Sequence, residues 1–96
     1  MSRYASFDDG SQQQIATNSG WGSFIQWSDG LEVEQFPELI HLAEHGWSQN
    51  LGKVVEELRK AKSSEDADTE HVVKGLIELL SGRDGAMVVT DGTEDE

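Results

Sequence analysis

Apolar residues along the chain recur at three- and four-residue intervals in four stretches, the period of helices that turn one face to a core. The first stretch is Trp21, Phe24, Ile25 and Trp27, preceded by the capping candidates Thr17, Asn18 and Ser19 and closed by Asp29-Gly30, where glycine can take the left-handed conformation. Phe36, Leu39, Ile40, Ala43 and Trp47 form the second, with Pro37 suited to its first turn and Gly46 to its end. The third sets Leu51, Val54, Val55 and Leu58 against Lys53, Glu56, Arg59 and Lys60 on the opposite face. The fourth carries Val72, Val73, Leu76, Ile77, Leu79 and Leu80, with Asp68 or Thr69 as its cap and Gly82 as its stop. So broad an apolar surface implies central burial or burial against a partner.

The ends of the chain read differently. Residues 1–16 are polar, and their scattered Tyr4, Phe7 and Ile15 show no sustained period, which predicts a flexible arm. Tyr4, Ala5, Ser6 and Phe7 do alternate, and would form an edge strand if another strand received them. Asp84-Gly85 offers a turn before Ala86, Met87, Val88, Val89 and Thr90, a run with strand character. One isolated strand leaves its backbone groups unpaired, so this run needs either the N-terminal segment or its own copy in a second subunit. Residues 91–96 read as a disordered acidic tail. The expectation is a mainly α fold: one domain over 17–90, a compact bundle of about four short helices with one C-terminal strand.

Charge narrows the partners. Nineteen acidic residues against seven basic ones give a formal charge of −12, which keeps the protein soluble and repels phosphate backbones. Lys53, Arg59, Lys60 and Lys62 gather on one stretch, but Glu56 and Glu57 are interleaved and Glu65 and Asp66 follow. A solvated helix face supported by a Glu56–Lys60 pair is the plainer account, so direct nucleic-acid binding is not expected. The chain has no cysteine, no apolar run long enough for a membrane span and no signal-like N-terminus, and cytoplasmic residence is the expectation. At 96 residues the core is small, and a homodimer would add to it.

Candidate chemistry centres on His41, Glu44 and His45, which match the H-x-x-E-H pattern of the inverted zinc metallopeptidases over five positions. Histidines four apart share a helix face and could hold one metal ion, with Glu44 near a bound water. A third ligand would have to come from Glu70, His71 or Glu78, which no spacing selects; the simpler reading leaves both histidines at the wet edge of an amphipathic helix. Glu38 and His41 have the spacing of one half of a di-iron site but lack the second pair, and Asp66, Asp68 and Glu70 begin like a calcium loop without its glycine or terminal glutamate. No nucleophile elbow or phosphate-binding glycine motif occurs. Neither catalytic residues nor a cofactor are expected.

Three tryptophans are a large apolar content for one small core. If Trp21 and Trp47 pack with Phe24 and Phe36, Trp27 is left at the surface beside Leu31 and Val33, rimmed by Asp29, Glu32 and Glu34. Trp27, Leu31, Glu32 and Glu34 then form an interaction surface of the kind that favours a basic protein partner. The sequence points to a small acidic, non-enzymatic interaction module of adaptor, regulatory or immunity type. Mimicry of nucleic acid is a variant of that reading, and a metal-binding domain built on His41, Glu44 and His45 is the alternative.

Overall fold

The computed structural model describes residues 2–61, 66–83 and 85–92, with backbone alone at 91 and 92. Four helices follow the predicted periodicity: α1 (Asn18–Asp29), α2 (Pro37–His45), α3 (Leu51–Lys60) and α4 (Ala67–Leu80). Four strands accompany them: β1 (Ser2–Phe7), β2 (Gln12–Thr17), β3 (Trp47–Ser48) and β4 (Met87–Gly92). They form one antiparallel sheet in the order β2-β1-β4-β3. The fold is therefore α+β, which corrects the expected mainly helical bundle.

The correction begins in the supposed arm. Ala5 and Phe7 turn inward, side by side with Val89 and Met87 of β4, while Tyr4 and Ser6 face the other way. Of the two partners expected for the C-terminal strand, the N-terminal segment is the one used. β1 then takes β2 on its other side, through a hairpin whose turn includes Gly10 at φ +88°. The register shifts between Arg3 and Tyr4, leaving Ile15 as the extra residue of a bulge, so β2 loses the strict alternation that would have announced it. The expected tail at 91–96 starts inside β4; residues 93–96 lie outside the described ones.

The helices cover the inward face of the sheet. Phe24, Leu39, Leu42, Leu51, Val54, Val72, Leu76 and Leu80 are almost wholly buried with Ala5 and Met87 beneath them. Each large aliphatic or aromatic side chain so buried contributes on the order of 1.5–3 kcal/mol, the main stabilising contribution in a domain this small. The breadth read in α4 is thus satisfied within the chain: Val72, Val73, Leu76 and Leu80 are buried, and Ile77 and Leu79 are partly buried against the same core.

Capping explains where the helices start. Thr17 Oγ1 accepts from the Gly20 N–H at 3.0 Å and Asn50 Oδ1 from the Lys53 N–H at 3.3 Å. Asp66, rather than Asp68 or Thr69, caps α4: its Oδ2 accepts from the Thr69 N–H at 3.1 Å and hydroxyl at 2.8 Å. Gly46 closes α2 in the left-handed conformation, donating to the Leu42 carbonyl, whereas Gly30 stays right-handed at φ −84°.

The Thr69 hydrogen bonds hold the Asp66 carboxyl below its usual range. A lowered folded value means the cap stabilises above the unfolded value of about 3.9 and is lost as pH falls through the folded one. Asp66→Ala is expected to melt below the parent at pH 7, with the gap narrowing as the pH drops below about 4. Paired melting curves across that window check it.

No residue of the α2 N-cap position can do for α2 what Thr17, Asn50 and Asp66 do elsewhere, since Phe36 has no polar side chain and makes no capping bond. Glu57 supplies the cap from α3. Its side chain is buried at 1% exposure, Oε1 accepts from the Leu39 N–H at 2.9 Å, and Oε2 accepts more weakly from the Glu38 N–H at 3.4 Å. A carboxylate at the positive end of a helix also meets its dipole favourably.

Candidate functional site

The surface expected around Trp27 is not presented as one patch. Trp27 is partly buried against the core, its ring 5.8 Å from that of Phe24, and it lines a depression with Leu58, Val73 and Ile77 of α3 and α4. Leu31 also packs against the core, which leaves Glu32 and Glu34 exposed with Val33. Trp21 lies where the sequence places it, whereas Trp27 and Trp47 differ from the expectation. Trp21 is buried and stacks on Phe24 at 4.9 Å, but Trp47 leaves the helix period, enters β3 and is 41% exposed beside Val88.

His41 and His45 do meet, as spacing on a helix requires, with ring centroids 4.7 Å apart. The Trp47 and His41 rings stand nearly perpendicular, with centroids 4.4 Å apart. Glu44 is exposed, and among the described residues no three His, Asp or Glu side chains converge as a metal site. The third-ligand candidates Glu70, His71 and Glu78 belong to α4 and join no such group.

The basic stretch on α3 is likewise spoken for. Lys53 lies 4.0 Å from Glu56, Arg59 donates to the Ser81 hydroxyl at 3.1 Å, and the Lys60 ammonium sits over the Phe36 ring. Lys62 lies outside the described residues. Exposed pairs of this kind stabilise little, but they leave no concentrated cationic face on this helix.

A different site emerges at the free edge of the sheet. β2 pairs with β1 on one side only, and a groove runs along its other side, walled by α4. Its two contiguous depressions, of about 350 and 360 Å³, share Gln13, Gln14, Ile15 and His71. Thr17 and Gly20 stand with Asp68 at one end; Gly75, Glu78 and Leu79 line the other. The strand brings no charge of its own: positions 10–28 contain no Asp, Glu, Lys or Arg, in a chain whose net charge is −12. Natural sheets usually guard an exposed edge with charges or proline, and this one has neither.

Residues 1–16 lack the sustained alternation that predicts a strand, and without β2 the α4 surface has no second wall to form a groove with. The signal that could have found it is the charge-free interval from Asp9 to Asp29. On the opposite face of the sheet Gln12 donates to the Ser6 hydroxyl and Gln14 to that of Ser2, each at 3.0 Å, while Val88 and Trp47 are exposed towards the β3 edge. None of the helices of the described residues is long and apolar enough to cross a membrane. No protein-family model, curated protein or solved structure matches the chain, which leaves its own geometry to speak for its function.

Proposed function

We propose that the protein is a small, non-enzymatic interaction module that docks an extended segment of a basic protein partner along β2, as an added strand beside α4. The observation that carries this reading is the open, uncharged edge of β2 facing a groove with Asp68 at one end and Glu78 at the other. Strand addition supplies main-chain hydrogen bonds along an edge that pairs with no further strand of the sheet. The overall charge of −12 steers a basic segment towards the site and opposes the approach of a second copy.

Titration of the 15N-labelled protein with a heptapeptide of alternating lysine and threonine tests it. The expected result is that the amides of β2 and of the groove side of α4 shift together, and that added salt weakens the effect. Shifts confined to the Trp47 and Val88 side of the sheet, or none at all, overturn it. Shifts in β2 that depend on protein concentration without peptide would assign the edge to self-association instead.

A further inference from the structure

The helical wall of the groove has a length, and that length suggests what the bound segment looks like. Asp68 and Glu78 are ten positions apart on α4, which places their backbone positions about 15 Å apart along the helix axis. An extended chain advances about 3.3 Å per residue and returns to the same face every second residue. Same-face positions therefore fall at about 7, 13 and 20 Å, and only the second comes within the reach of flexible side chains at both carboxylates. Neither Asp68 nor Glu78 makes a hydrogen bond or ion pair among the described residues, so both are available to a cation.

Between these two carboxylates the wall falls away. Gly75 sits in the helix with open space where a side chain would be, although glycine weakens a helix interior relative to alanine. A side chain between the two cations meets His71 and this gap rather than a full helix surface.

Resting on the docking function proposed above, we infer that the groove selects extended segments with two basic residues four apart, one for Asp68 and one for Glu78, with the residue midway between them lodged in the space beside Gly75. The strand hydrogen bonds give affinity without regard to sequence, and the paired carboxylates set the register. The partner is thus identified by chemistry as a flexible or strand-forming segment with Lys or Arg at two positions four apart.

The test uses the full chain and three heptapeptides with the same composition of two lysines, one alanine and four threonines, their lysines two, four or six residues apart. The four-residue spacing is expected to bind about fivefold tighter than the others, as exposed ion pairs of modest strength allow. Asp68→Asn or Glu78→Gln should abolish that preference while leaving the residual binding of the other two peptides. Gly75→Leu should reduce the binding of all three, and because its Cβ enters open space at an ordinary helical position the variant should melt no lower than the parent. If all spacings bind β2 and α4 alike, the spacing rule is overturned and the docking function stands. If no peptide perturbs those amides, including the alternating lysine peptide, both fall. An unimpaired Gly75→Leu would overturn the place assigned to the central residue.

Discussion

Glu57→Ala is expected to destabilise the protein by about 3 kcal/mol, an unusually large effect for a glutamate on an amphipathic helix. Two losses add. The Leu39 and Glu38 N–H groups at the start of α2 lose their carboxylate, and Phe36 has no side chain that could take over. A hydrogen bond to a charged group is worth roughly 1.5–3 kcal/mol, and a buried donor left unpaired costs about 1–3 more, partly offset where water enters. For a domain of this size that shift lowers Tm by roughly 12–24 °C. Glu57→Gln keeps the shape and one acceptor, and is expected to cost about 1 kcal/mol. Amide exchange makes the assignment local: the Leu39 amide should exchange faster in Glu57→Ala, while amides in the centre of α4 change only as far as global stability does. A variant melting within about 2 °C of the parent would show that the carboxylate does not hold α2.

That residue also shows what periodicity misses. Glu57 sits among Glu56, Arg59 and Lys60, and a charge run reads as a solvated face because most are. Helical geometry nevertheless places position 57 beside Val54, which is buried, and the missing cap at Phe36 is the complementary signal. A helix that opens on Phe-Pro without Ser, Thr, Asp or Asn must find its hydrogen bonds elsewhere. Neither clue names its partner alone, since the residues meeting here are 18 and 19 positions apart.

The helices were legible because their core faces are long, regular and locally capped: α3 and α4 repeat the 3.6-residue period over several turns. The sheet was not. β1 alternates over only a few residues, β2 is an exposed edge interrupted by a bulge, and β3 is two residues long. Each gains its stability from pairing with segments distant in the chain, a property that local patterning does not carry. The same gap displaced the candidate site, because a groove between β2 and α4 has no meaning until β2 is a strand. Composition carries only the charge, a net −12 on which the proposed docking of a basic segment draws.

Phe24→Ala has the largest expected effect, about 4 kcal/mol. Phe24 is wholly buried, stacks on Trp21 and lies 5.8 Å from the Trp27 ring, so its removal opens a cavity that two rigid indoles cannot readily fill. Against a total stability of roughly 5–15 kcal/mol for a domain, such a loss populates the unfolded state visibly on mild heating. Phe24→Leu retains most of the apolar volume and should cost less than about 2 kcal/mol, which separates lost packing from any local effect on α1. Near-ultraviolet circular dichroism reads the same event from the tryptophans: the Trp21 and Trp27 bands should weaken in Phe24→Ala while the exposed Trp47 contributes as before. A cost below about 1 kcal/mol would mean that α1 does not rest on the ring cluster. The consequence reaches the groove, since α1 packs against α4 and begins at the Thr17 end of β2. Loosening Phe24 should therefore weaken peptide docking together with Tm, whereas Gly75→Leu should weaken docking and spare it.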